Sequence, residues 1–219
     1  GYSFTSPREA DPPAMAFLNM GFQVFILYYR VGDQAGNLQP MEDLARSVLW
    51  VRENSSAWNI DPCKVAVMGF SAGAHLACSL CVHWDDEELI RRCGAQSGKA
   101  LRPDAMVLAY PVITAGEFAH QRSIELVSRD CERPREYWSL EKQVNEQTPP
   151  AFLWHTMSDA SVPVENSFLL AQALHKAGVE CECHFFPQGE HGMSVCTREV
   201  QTPSATVGMW IPLCRNWLE

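Results

Sequence analysis

The chain has 219 residues, of which 47% are hydrophobic and 20% charged, and its formal net charge is −9. This length and composition are typical of one soluble globular domain and exclude a disordered or fibrous protein. The acidic charge argues against binding of nucleic acid, which depends on clustered Lys and Arg, and no apolar stretch is long enough to cross a membrane. We therefore expect a small-molecule or oligosaccharide substrate.

Nine cysteines are scattered along the chain without the spacing of a disulfide framework. Reduced thiols and a cytoplasmic location are the expectation. Cys181-x-Cys183-His184 offers half of a metal site, but no second ligand pair accompanies it. We expect neither a metal nor a cofactor, and a homo-oligomer is left open.

The first half of the chain alternates between strand and helix patterns. Val24–Tyr29 is rich in β-branched and aromatic residues and predicts a buried strand. Apolar residues at helical spacing predict a helix over Met41–Asn54. A second strand is predicted at Lys64–Met68, and after a glycine-rich break a helix is predicted at Ala74–Val82.

The second half continues the same alternation. After a strand at Ala105–Tyr110 comes an irregular region, 111–150, which is too long for an ordinary connection and predicts a cap or lid. Strands alternating with helices predict a single α/β domain whose mostly parallel sheet is covered on both faces. The remaining predicted elements are the strands Ala151–His155 and Glu180–Phe186 and the helices Glu165–Ala177 and Met209–Leu218.

Gly69-Phe70-Ser71-Ala72-Gly73 places a serine between a predicted strand and a predicted helix. A G-x-S-x-G in this context is typical of a catalytic nucleophile on a strained turn. Because this turn is strained and crowded, we predict that Gly69 and Gly73 occupy positions where only a small residue fits. Ser71 is therefore the candidate nucleophile, and the backbone N–H of Ala72 is the candidate donor to an oxyanion.

A serine needs a nearby base, and the partners of a serine at such a turn follow it in the order acid, then histidine. Of seven histidines, only His191 lies in a loop just beyond a predicted strand, between Gly189 and Gly192. Asp159 closely follows the preceding strand and is the candidate acid. Glu165 stays open as a reserve acid, although a carboxylate in the first turn of a helix also stabilises the helix dipole.

Taken together, the motifs resemble the bacterial acetylesterase, or acetyl-xylan-esterase-like, branch of the α/β-hydrolases, over nearly the whole chain. The residues that carry the likeness are Gly1-Tyr2-Ser3-Phe4, Asp11-Pro12-Pro13-Ala14, Tyr29-Arg30, Asn59-Ile60-Asp61-Pro62, the run from Val65 to Ala77, His155-Thr156 with Asp159, the run from Val162 to Ser167, and Phe186-Pro187 with Gly189, His191 and Gly192. The resemblance implies an α/β-hydrolase fold, a triad of Ser71, Asp159 and His191, and removal of acetyl groups from sugars or xylan fragments.

The same resemblance implies a glycine-rich loop that completes the oxyanion hole, of which Gly1 is present in this sequence. Three strands that such enzymes place ahead of this loop are missing, and one of them pairs between Val24–Tyr29 and Lys64–Met68. We therefore do not expect these two segments to pair directly. The gap is expected to be filled by a strand of another chain or by residues upstream of Gly1.

Aromatic side chains in the site would stack against a sugar or aryl group, and the candidates are Tyr2, Trp84 and Trp138. Three alternative functions stay open: a serine peptidase or a lipase of the same superfamily, or a catalytically impaired fragment that serves as a binding module. The polar composition of residues 117–147 favours a polar acylated substrate over a lipid.

Overall fold

The computed structural model describes residues 1–219, and its centre is a sheet of four parallel strands in the order β1-β2-β3-β4. All six residues of β3 are buried, because parallel sheets are covered by helices on both faces. The α/β class is confirmed. The strands are β1 (Ala66–Phe70), β2 (Ala105–Ala109), β3 (Ala151–Thr156) and β4 (Cys181–Phe186).

Helices pack on both faces of the sheet, and side chains alternate between the two faces along each strand. Leu108 and Leu153 belong to the larger core, together with residues of α2 and α3, whereas Val107 and Trp154 belong to the smaller core with residues of α1 and α8. None of the helices could span a bilayer. Their bounds are α1 (Asp11–Leu18), α2 (Gln39–Glu53), α3 (Ala72–His83), α4 (Glu87–Cys93), α5 (Gly98–Leu101), α6 (Gln121–Ser128), α7 (Glu165–Lys176) and α8 (Trp210–Leu218).

The predicted strand at Val24–Tyr29 is wrong. The segment runs without a turn or a bend, but no backbone–backbone hydrogen bond involves any residue of Gln23–Tyr29. A strand requires a hydrogen-bonded neighbour. The facing strand, β1, pairs only with β2, so its other edge is free as well.

A cavity of about 920 Å³ separates Val24–Tyr29 from β1 and is lined by residues of both. The two segments are not paired with each other, as the missing neighbour predicts. What fills the gap between them stays a prediction.

Residues 111–150 form no separate core. Ile113, Ile124, Trp138 and Leu140 are buried in the same large cluster as the helices α2 and α3. The segment contains α6 and short 3₁₀ turns, and none of its residues lines the cavity that contains Ser71. Its role as a lid stays a prediction.

Candidate active site

Ser71 lies at the turn between β1 and α3 with φ 55° and ψ −118°, a positive-φ conformation that is strained for a residue with a side chain. Its N–H donates to the carbonyl of Ala109. A Cβ on Gly69 would lie 2.1 Å from the carbonyl oxygen of Gly73, so this position admits no side chain. A Cβ on Gly73 would meet only the Tyr29 hydroxyl, at 3.8 Å. The requirement for a small residue therefore holds at Gly69 and is wrong for Gly73.

Three of the residues singled out from the sequence form one chain of hydrogen bonds. Ser71 Oγ lies 2.8 Å from His191 Nε2, and His191 Nδ1 lies 2.6 Å from Asp159 Oδ2. An ionised carboxylate only accepts, so Nδ1 carries the imidazole proton and Nε2 is free to accept the serine proton. Glu165, the reserve acid, sits in the first turn of α7 and makes no hydrogen bond to His191.

The carboxylate of Asp159 is held by four donors. Oδ1 accepts from the backbone N–H groups of Ser161 and Val162 at 2.8 and 2.9 Å, and Oδ2 accepts from His191 and, at 3.2 Å, from His155 Nε2. Burial raises the pKa of Asp159, but the hydrogen bonds from both histidines and from Val162 outweigh it and hold the pKa well below the usual range of a carboxyl group. Asp159 is therefore ionised at neutral pH.

The ring of His191 rests against Tyr110, whose ring meets it edge-on at 5.0 Å between centroids. The Tyr110 hydroxyl donates to Glu9 at 2.7 Å and accepts from the Ser194 N–H at 3.1 Å. Burial raises the pKa of Tyr110 far above its usual value, so the phenol keeps its proton. No motif marks Tyr110 or Glu9 in the sequence, because the contact joins residues about 100 positions apart.

Of the two candidate oxyanion donors, Ala72 directly follows Ser71 in the chain. Ala72 is the first residue of α3, and the N–H groups of a helix's first turn have no acceptor within the helix. Gly1 lines the same cavity as Ser71 and His191.

The three aromatic residues predicted to bind substrate are not in the cavity that contains Ser71. Tyr2 is fully buried, and its hydroxyl lies 3.0 Å from Nδ1 of the buried His75. Trp138 and Trp84 are also buried in the core, and the Trp138 carbonyl lies 3.3 Å from His75 Nε2. The aromatic residues that do line the cavity are Phe4, Phe17, Phe22, Phe25, Tyr28, Tyr29, Trp50 and Phe70.

A parallel sheet with a serine at a strand-to-helix turn, and with acid and histidine after later strands, defines the α/β-hydrolase fold. Solved structures of that fold are close to this one. The acetyl ester-xyloside bifunctional hydrolase of Caldicellulosiruptor lactoaceticus is 38% identical with a TM-score of 0.86, and the match covers 99% of this chain and 78% of that one. A carboxylesterase of Lactobacillus plantarum is 27% identical with a TM-score of 0.86, and the match covers 99% of this chain and 81% of that one.

Residues 5–174 match the BD-FAE family, and the chain belongs to it. A Butyrivibrio fibrisolvens protein named endo-1,4-beta-xylanase B is 40% identical over 205 residues, which are 91% of this chain and 32% of that protein. The acetylxylan esterase of Xylanibacter ruminicola is 30% identical over 207 residues, 90% of this chain and 40% of that protein. The chain thus spans less than half the length of these relatives.

Proposed function

We propose that the chain is a serine carboxylesterase that removes short acyl groups, above all acetyl, from sugars or xylan fragments. The observation that carries the proposal is the continuous chain of hydrogen bonds from Ser71 through His191 to Asp159. This arrangement serves nucleophilic acyl transfer, because the histidine takes the serine proton while the carboxylate stabilises the imidazolium that forms.

In the proposed reaction Ser71 Oγ attacks the ester carbonyl as its proton passes to His191 Nε2. The N–H of Ala72 donates to the oxygen that becomes negative, and Gly1, which lines the same cavity, is the candidate second donor. Collapse of the tetrahedral intermediate breaks the bond to the alcohol, which leaves with the proton from His191. A water molecule then releases the acyl group from Ser71 by the same steps, with His191 as base and then as acid.

The similarity to proteins that act on acetylated xylan supports acetyl esters of xylan as the substrate class. One is an acetylxylan esterase and another an acetyl ester-xyloside bifunctional hydrolase.

All nine cysteines are free, which supports action in a reducing compartment such as the cytoplasm. The apolar wall that Val24–Tyr29 forms beside Ser71 favours a second candidate, an esterase for longer acyl chains.

The two candidates separate in an assay of nitrophenyl acetate against nitrophenyl octanoate, run beside acetate release from acetylated xylan fragments. The proposal expects a higher kcat/KM for the acetate ester and acetate release from xylan, both abolished in Ser71→Ala. A preference for octanoate would move the assignment to the long-chain candidate. Hydrolysis that survives Ser71→Ala would refute the serine mechanism.

A further inference from the structure

His155, in β3, is a second histidine on the acid of the candidate triad. It is fully buried, and its Nε2 lies 3.2 Å from Asp159 Oδ2 and 3.1 Å from the carbonyl oxygen of Val162. Its Nδ1 lies 2.7 Å from the Ser167 hydroxyl oxygen. No substrate could reach this ring, because the sheet and α7 enclose it.

The partners of the ring fix which nitrogen carries the proton. A carboxylate and a backbone carbonyl are both acceptors only, so His155 Nε2 must donate to them. Ser167 can then donate its hydroxyl proton to Nδ1, which leaves the ring neutral and every polar atom of the group satisfied.

We propose that His155 is a positioning residue for the reaction, which holds Asp159 Oδ2 at the one place from which it can accept from His191. This inference rests on the proposed esterase function. The two backbone amides that bind Asp159 both reach Oδ1. Without His155, the only group that binds Oδ2 is His191 itself, so the carboxylate loses one of its two restraints at Oδ2 against rotation about the Cβ–Cγ bond.

The hydrogen bond from His155 also favours the ionised form of Asp159. The His155 hydrogen bond is among the largest effects that lower the pKa of Asp159 against the opposing effect of burial. An ionised Asp159 accepts from His191 Nδ1 and keeps Nε2 as the acceptor for Ser71. A protonated Asp159 would donate instead and reverse the tautomer of His191.

A purely structural role is the rival explanation, because His155 also joins β3 to α7 through Ser167. Two amide variants distinguish these roles. The amide nitrogen of Gln is as many bonds from the backbone as His Nε2, so His155→Gln keeps a donor facing Asp159. The amide of Asn reaches only the Nδ1 position, so His155→Asn keeps the bond toward Ser167 and removes the donor to Asp159.

We expect His155→Asn to lower kcat for nitrophenyl acetate by roughly 10–100-fold with KM unchanged, since small displacements of catalytic groups have effects of this size. His155→Gln should restore most of the lost kcat. Ser167→Ala is the matched control for the other side of the ring and should change the melting temperature more than kcat. Equal kcat losses in the Asn and Gln variants, or none in Asn, would overturn the proposal.

Two NMR readouts do not depend on turnover. The proton between His191 Nδ1 and Asp159 should resonate far downfield in wild type and His155→Gln and shift upfield or broaden in His155→Asn. In wild type labelled with ¹⁵N-histidine, His155 should carry its proton on Nε2, and a neutral ring protonated on Nδ1 would refute the inference even if His155→Asn fails to fold. Wild type without Ser71-dependent hydrolysis would refute the esterase function, while the two readouts still decide the role of His155.

Discussion

The two sides of the cavity beside Ser71 differ in how fully their polar groups are satisfied. On one side, after β3 and β4, the Asp159 carboxylate accepts four hydrogen bonds, and the His191 imidazole is bonded through both of its nitrogens. On the other side, the backbone of Gln23–Tyr29 and the free edge of β1 have no backbone partners. Acid and base are thus held by the chain's own later half, whereas the wall beside the nucleophile lacks a hydrogen-bonded neighbour.

Hydrogen exchange offers the largest expected contrast between the two sides. Amides of β3 should exchange only on global unfolding, so with a stability of about 5–15 kcal/mol they should be slower than those of Val24–Tyr29 by at least ~5 × 10³-fold. The contrast should be resolved peptide by peptide in a mass-spectrometric time course on the 219-residue chain.

Strong protection of Val24–Tyr29 would contradict the description of this segment as unpaired. Size-exclusion chromatography on the same sample would then show whether a second copy of the chain supplies the missing neighbour.

Asp159→Asn should abolish most of the activity, because it changes the hydrogen bond that orients His191. An amide that donates to His191 Nδ1 forces the wrong tautomer, and the expected loss in kcat is on the order of 10⁴-fold. Glu165→Gln is the matched control, because Glu165 makes no hydrogen bond to His191. Steady-state kinetics with nitrophenyl acetate measure both variants, and a larger loss for Glu165→Gln would transfer the role of acid to Glu165.

Gly69→Ala should destabilise the turn at Ser71 by at least ~1–3 kcal/mol, because the new methyl group overlaps the carbonyl of Gly73 and neither backbone can move freely. Gly73→Ala is the control at the other glycine of the motif. Its methyl group meets only the Tyr29 hydroxyl, and replacing a helical glycine by alanine stabilises by about 0.5–1 kcal/mol. Urea unfolding of both variants checks the prediction, and equal destabilisation would contradict it.

Local sequence patterns predicted those helices and strands that pack against or pair with other segments of this chain. The helical spacing of apolar residues located α2 and α7 to within about two residues, and strand composition located β2, β3 and β4. Val24–Tyr29 has strand composition too, but composition cannot supply a neighbour, and without one the segment forms no ladder. The short helices α1 and α4 were missed because one or two turns give too little periodicity to detect.

The residues of the candidate site likewise fall into those that the sequence predicted and those that it did not. Ser71, Asp159 and His191 were predictable because motif, strand ends and chain order mark them, and the structure brings them within hydrogen-bonding distance. His155 and Tyr110 were not assigned to the site, since a histidine or tyrosine in or beside a buried strand looks like core. Tyr2, Trp84 and Trp138 were assigned to it because composition cannot tell a buried aromatic residue from one that lines a cavity.

Covalent labelling tests the central claim most directly. A fluorophosphonate reacts with a serine only where a base activates it, so peptide mapping of the labelled chain should find one modified residue, Ser71, and labelling should be lost in Ser71→Ala and strongly slowed in His191→Ala. Labelling that persists in Ser71→Ala, or that is unchanged in His191→Ala, would contradict the account of Ser71 as a nucleophile activated by His191.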